Sequence, residues 1–325
     1  MKAMIIKAQG GLDNLVYDDW PDPEPEIGQV LVRVRACGLN HLDIFVRRGM
    51  PGLPVKTPFI SGGDIAGEIA ALGDGVTGWR VGERVLVNPS TAAGMMGEDI
   101  FGGMAEYACA PQQNLLRIPD GVSFEAAACL PVAYGTAFRM LTVRGAVAPG
   151  EKVLILGASG GVGTAAVQIA KMIGAEVLAA ASSAEKLDKL RALGADHLID
   201  YTKVDFSQEA WRISGKVGVD VVVNYTGGDT WVPALRALKH HGRLLTCGAT
   251  AGFAPQEDIR YIWTREITIV GCNGWSTEDI ARLLDLVAAG RIKPVISHIL
   301  PLSEGREAEW LMEQRAVFGK VVLVP

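Results

Sequence analysis

Apolar residues fall along this chain in two textures. In the first third, "QVLVRVRACGL" alternates with a period of two through Val30, Val32, Val34 and Ala36, which predicts a strand buried on one face. "GEIAALG" and "GERVLVNP" predict further strands closed by Gly or Pro, and few long helical periods occur, so this region reads as mostly β. From about residue 124 the strands become continuous apolar runs separated by helical periods. "EKVLILGASGGVGTAAVQIAKMIGAEVLAAASS" predicts a buried strand at 152–156, a Gly-rich turn, a helix near 161–173 and a second strand at 176–181.

The alternation continues. "AEKLDKLRALGAD" predicts a helix stopped by Gly194, and "HLIDY" and "VDVVVNYTGG" predict strands. "WVPALRALKHHG" predicts a helix ending at Gly242, where His240 and His241 suit the dipole of a helix end, before the strands "RLLTCG" and "EITIVGC". Strands covered on both faces and alternating with helices make βαβ units in a doubly wound parallel sheet, so the fold class is α/β. The last segment, from "ARLLDLVAAG" to "VVLVP", predicts helix, strand, helix and strand, a tail returning to the first domain. A chain of 325 residues exceeds what one small core usually spans. The expected organisation is a mostly β domain at 1–123, completed by 275–325, and a cofactor-binding domain at 124–274.

The candidate chemistry begins at "GASGGVG", Gly157 to Gly163, between a strand and a helix. Ser159, Gly160, Gly161 and Val162 would bring backbone N–H groups to a dinucleotide pyrophosphate, and Gly163 would let helix and strand pack closely. NAD sites usually carry an Asp or Glu at the end of the second strand, to hold the ribose 2′-hydroxyl. Here that strand ends in Ala181, Ser182 and Ser183, with Lys186 following. Two hydroxyls and a cation suit a 2′-phosphate, so the expected cofactor is NADPH, although Lys186 equally suits a solvated helix charge. The turns 224–228 and 247–252, with Thr226, Gly248, Ala249 and Thr250, should border the nicotinamide, because ligands sit beyond the carboxyl ends of parallel strands. Tyr201 is a candidate for the adenine or for plain surface.

Charge narrows the partners. With 31 basic and 36 acidic residues the net charge is −5, which gives no electrostatic case for nucleic acid or an anionic membrane. No 18-residue apolar stretch occurs, and acidic residues soon follow the apolar patch near the start, so neither a membrane span nor a signal peptide is expected. Five scattered cysteines without CxxC spacing read as reduced thiols in a cytoplasm.

The ordered motifs "VRVRACGLNHLD", "SGGDIAGEI", "GWRVGERV", "GGMAEYACAP", "SFEAAACLPVAYGTAF", "GASGGVGTAAVQIAK" and "FGKVVL" resemble the medium-chain dehydrogenase/reductase superfamily over essentially the whole chain. The resemblance implies a GroES-like β domain joined to a Rossmann domain, with the active site in a cleft between them. Laid onto the family's zinc site, the Cys, His and third ligand positions fall on Asn40, Gly63 and Val132, none of them a usual zinc ligand. The hydroxyl of the family's proton relay falls on Leu42, and the region 88–105, where a structural zinc lobe would stand, holds no Cys. No metal is therefore expected. His41 would face the cofactor phosphates.

Without a Lewis acid, oxidation of a simple alcohol lacks its main means of stabilising an alkoxide, whereas reduction of an activated double bond needs only hydrogen-bond donors at the oxygen. "LNHLDIFVRRG" resembles the pattern of the zinc-free quinone oxidoreductase-like and enoyl reductase branches, with Phe45 in place of their Tyr. The expected function is hydride transfer from NADPH to a small quinone or α,β-unsaturated carbonyl substrate. Alcohol or aldehyde redox chemistry and NADPH binding with little turnover are the alternatives. Asn40 as a polar donor, Tyr134 as a donor or proton source and Thr136 near the nicotinamide are the catalytic candidates. The bland readings are an Asn that ties its loop and a Tyr bonded to a neighbouring carbonyl. Asp43 is expected to orient the loop and pair with Arg48, and Trp263 and Trp275 to wall a substrate pocket or simply pack. "EITIVGC" is expected to pair edge to edge with its copy in a homodimer.

Overall fold

The apolar runs of the second half build one sheet of six parallel strands. The computed structural model describes residues 1–50, 52 and 54–325. Two compact units form, one of residues 1–133 with 277–325 and one of residues 134–276. In the second unit the strands run in the spatial order His197–Asp200, Glu176–Ala181, Lys152–Ile155, Val219–Val223, Leu238–Thr246, Thr268–Gly271. The chain moves one way from Lys152–Ile155, then returns and continues on its other side at Val219–Val223. That reversal opens a crevice at the carboxyl ends of these two strands, the usual ligand position in a Rossmann sheet. The helix Gly161–Ile173 covers the sheet with a face of small residues, Gly163, Ala165, Ala166 and Ala170, and stops at Gly174 in the left-handed conformation.

One expected helix is shorter than its periodicity implied. It spans Trp231–Ala237, and Leu238–Thr246 is a strand, so His240 and His241 do not close a helix at Gly242. The Arg265 guanidinium donates to the carbonyl oxygens of Arg236 and Leu238 at 2.7 and 3.0 Å, ending the helix where its own ladder would otherwise continue. Leu238, fully buried, pairs with Val219 instead. The His241 ring lies 3.0 Å from Glu266 at the surface.

In the first unit, Gln29–Gly38 buries Val30, Val32 and Val34 and exposes Arg33 and Arg35, as the period of two requires. The alternation then gives way to a fully buried run, Ala36, Cys37 and Gly38. There the strand lies between two others, with Gly38 opposite Asp64 on one side and Val322 on the other. The helix His41–Arg48 follows at once, unforeseen within the β-rich region. Its buried Arg47 is held by Glu309, at 2.5 Å, and Glu313. Among the described residues, no helix is long and apolar enough to cross a membrane.

Candidate active site

The three neighbouring strands Asp64–Leu72, Gln29–Gly38 and Lys320–Val324 bring together residues far apart in sequence. Asp64 and Lys320 each begin a strand, and Asn40 lies two residues past the end of the middle one. Lys320 Nζ is buried and donates to Leu39 O and Asn40 Oδ1, both at 2.6 Å, and to Asp64 Oδ2 at 2.9 Å. An ammonium has three N–H groups, so all three are used. Asp64, also buried, accepts in addition from Asn40 Nδ2 and from the Val132 backbone N–H, each at 2.9 Å. The Asn40 amide is thus fixed in one orientation, with its oxygen on Lys320 and one N–H on Asp64. Its Nδ2 is also 3.4 Å from Gly38 O, the longest contact of the set and the one a substrate oxygen could most readily replace.

Asp43 holds the same loop from below. Its carboxylate accepts the Asn40 N–H at 2.7 Å and the Gly62 N–H at 2.9 Å, and Arg48 lies instead 2.9 Å from Glu313, so the expected Asp43–Arg48 pair does not form. The geometric reason is that Asp43 points into the sheet to cap its own helix, while Arg48 is more than half exposed. Burial pushes the Asp43 carboxyl up to about 7, against the lowering effect of the Asn40 N–H. A carboxyl whose folded pKa exceeds its unfolded value stabilises the fold most at low pH, and that contribution is lost as pH rises through the folded value. Between pH 4 and 7, unfolding free energy in the wild type should therefore fall relative to Asp43→Asn, with a slope difference approaching about 1.4 kcal/mol per pH unit. Denaturant titrations of both proteins across this range measure it, and parallel curves would contradict the assignment. His41 is held below its ordinary value by desolvation first, then by the cations of Lys320, Arg315 and Arg48, which favours neutral imidazole. Burial raises the Cys37 thiol well above its usual range, helped by the Asp43 and Asp64 carboxylates, so it is no ready thiolate ligand.

The residues here do not fit a zinc ion. Asn40 Oδ1 accepts from an ammonium, and a Cβ on Gly63 would stand 3.0 Å from Met96 O, with Met95 and Pro89 atoms 3.5 Å away. Val132 contributes only its backbone N–H, to Asp64. Among the described residues, no group of three or more His, Cys, Asp or Glu side chains could hold a metal ion.

The second unit fits a dinucleotide. Gly157 has φ +62°, and a Cβ on Gly163 would lie 2.5 Å from Gly157 O and 2.6 Å from Ala158 C, so both positions require glycine. The N–H groups of Gly161 and Val162 open the helix and have no acceptor within it, which suits them to an anion. Ser159 and Gly160 complete the turn, whose Gly160 N–H donates to Gly157 O at 3.0 Å. Beyond the second strand Ser182 is exposed, while Ser183 Oγ caps the next helix by accepting the Lys186 N–H at 3.3 Å. Glu185, the nearest acid, pairs with Lys189 at 2.6 Å. Tyr201 is exposed at the end of the third strand.

The two later turns are laced into one surface. Asn224 Oδ1 accepts the N–H groups of Thr226 and Gly227, and the Ala251 N–H donates to Thr226 O at 2.7 Å. Gly248 and Thr250 are exposed on this surface and Ala249 is half-buried. Tyr134 is fully buried, and its hydroxyl accepts from Gln168 Nε2 at 3.3 Å. Thr136 is buried in the following turn, Trp275 packs against Gly135, and Trp263 is exposed.

Residues 26–120 match the alcohol dehydrogenase GroES-like domain family, and residues 161–289 match the zinc-binding dehydrogenase family. The whole chain aligns with human quinone oxidoreductase at 30% identity, covering 98% of that protein. The chain belongs to the medium-chain dehydrogenase/reductase superfamily, as a quinone oxidoreductase-like member. The human synaptic vesicle membrane protein VAT-1 homolog is 32% identical over the whole chain and 86% of its own length. Among solved structures, an NAD-dependent alcohol dehydrogenase superposes with TM-score 0.95 at 37% identity, both chains covered in full. A crotonyl-CoA carboxylase/reductase in complex with NADP gives 0.90 at 25% identity, over 100% of this chain and 94% of that one. Like other members of the superfamily, this protein is an oxidoreductase that uses a nicotinamide cofactor on small molecules.

Within the superfamily frame, sequence reasoning missed Asp64 and Lys320 as site residues. Both were visible in quoted motifs, "SGGD" and "FGKVVL", but only strand register sets them beside Asn40.

Proposed function

We propose that this protein is an NADPH-dependent, zinc-independent reductase of quinones or α,β-unsaturated carbonyl compounds. The observation that carries the reading is the Lys320 ammonium on Asn40 Oδ1, at the position where zinc relatives would need a metal ligand. Bound NADPH would supply a hydride to the carbon β to the carbonyl, the electron pair moving to the oxygen and a proton from a side chain or solvent completing the reduction. Asn40 would steady that oxygen through the N–H it holds only loosely on Gly38 O, its amide polarised by Lys320 on the other side. Thr136 and Tyr134 remain candidates for positioning and proton supply. The Ser159–Val162 backbone would hold the pyrophosphate, His41 would face the phosphates, and Thr226, Gly248, Ala249 and Thr250 would border the nicotinamide.

Ser182, Ser183 and Lys186 support a 2′-phosphate, since no carboxylate stands at that strand end. Lys186→Glu should raise the KM for NADPH about tenfold or more while sparing NADH, by the loss of one charge-assisted contact and the gain of a repulsive one. Equal effects on the two cofactors would contradict the assignment. The likeness to an NAD-dependent alcohol dehydrogenase favours a second reading, alcohol or aldehyde redox chemistry, which activity on saturated aldehydes but not enones would support. The edge strand Thr268–Gly271 leaves Thr268 and Ile269 exposed, which suits a homodimer that continues the sheet, and a monomeric mass in solution would contradict it. Five free cysteines suit a reducing cytoplasm.

A further inference from the structure

Tyr225 follows the strand Val219–Val223, at the crevice where the sheet order reverses. Its hydroxyl donates to Gly157 O at 2.6 Å, across the glycine turn from one strand end to the next. The ring fills the concave side of that turn: a Cβ on Gly157 would lie 3.3 Å from both Cε2 and the hydroxyl oxygen, and one on Gly160 would lie 3.9 Å from that oxygen. Desolvation pushes the Tyr225 phenol above its ordinary value, so it stays neutral. A neutral oxygen thus stands against the glycine turn that leads into the helix Gly161–Ile173. That turn is the one that would carry the dinucleotide phosphate.

We propose that the Tyr225 hydroxyl and the cofactor phosphate compete for this place, so that Tyr225 sets the affinity and the entry rate of the dinucleotide. The inference rests on the nicotinamide-cofactor reading. The backbone around Tyr225 is pinned, because its carbonyl accepts the Thr250 N–H at 3.2 Å and the next N–H donates to Asn224 Oδ1 at 3.0 Å. Only the side chain can then yield, by rotation about its first bond. Gly248 beside it has no side chain to oppose that rotation, whereas a Cβ there would stand in contact with Tyr225 Cβ at 3.8 Å. A binding-competent state that is only partly populated raises the apparent Kd by that fraction. Breaking one ordinary hydrogen bond corresponds to about a two- to tenfold change.

Tyr225→Phe keeps the ring and its packing and removes only the bond to Gly157 O. NADPH fluorescence titration should show Kd lowered about two- to tenfold in the variant. Stopped-flow binding should saturate with NADPH concentration in the wild type and rise linearly in the variant. An unchanged or weaker Kd in Tyr225→Phe would overturn the competition while leaving the cofactor reading intact. Failure of both proteins to bind NADPH or NADH would overturn the cofactor reading and this inference together.

Discussion

Lys320→Met should lower the unfolding free energy of the first unit by about 3–5 kcal/mol, the usual cost of removing one partner from a buried ion pair. The Lys320 and Asp64 side chains are 2% and 0% exposed, so no water replaces the lost ammonium. Three acceptors each lose a charged donor at once: Leu39 O, Asn40 Oδ1 and Asp64 Oδ2, the last keeping only the Asn40 amide. The sharper expectation concerns the pair. Asp64→Asn removes the charge that needs compensation while leaving an oxygen for the Val132 N–H, so Lys320→Met/Asp64→Asn should be more stable than Lys320→Met alone, recovering about 1–3 kcal/mol. Denaturant unfolding of the four proteins completes the cycle, and strictly additive single changes would contradict a coupled Asp64–Lys320 pair. Turnover should not recover with stability, because the double variant still leaves Asn40 without its anchor.

Gly163→Val should weaken nicotinamide dinucleotide binding about 100-fold. The added Cβ would meet Gly157 O at 2.5 Å and Ala158 C at 2.6 Å, both backbone atoms that cannot rotate away. Helix and strand must separate, moving the opening N–H groups of Gly161 and Val162 away from any phosphate. Overpacking of this kind costs up to about 3 kcal/mol, which as lost affinity is about 100-fold. NADPH titration by fluorescence measures it, with cooperative unfolding of the second unit as the control that the variant folds. Binding within threefold of wild type would show that this turn does not hold the cofactor.

The doubly wound sheet was legible because its strands are apolar runs bounded by glycine, a local property that survives in any context. The helix Trp231–Ala237 was overextended because Arg265, distant in sequence, takes the carbonyls at its end. The same limit governed the site. Asn40 was readable as a substituted ligand position, but the Lys320 that holds it lies 280 residues away, and only the pairing of Gly38 with Asp64 and Val322 joins them. Asp43 was read rightly as orienting the loop, yet its partners are backbone N–H groups, which no side-chain pattern reveals. Tyr225 gave no signal, since "NYTGG" reads as a turn until the hydroxyl is seen on Gly157 O.

In the proposed function, hydride transfer needs no metal, the place of a ligand being taken by an asparagine fixed between Lys320 and Asp64. The decisive experiment is NADPH oxidation by metal-stripped protein, offered quinones, enones and saturated aldehydes in parallel. Quinones or enones should turn over at a rate unchanged by chelator or added zinc. Turnover that appears only when zinc is restored would contradict it.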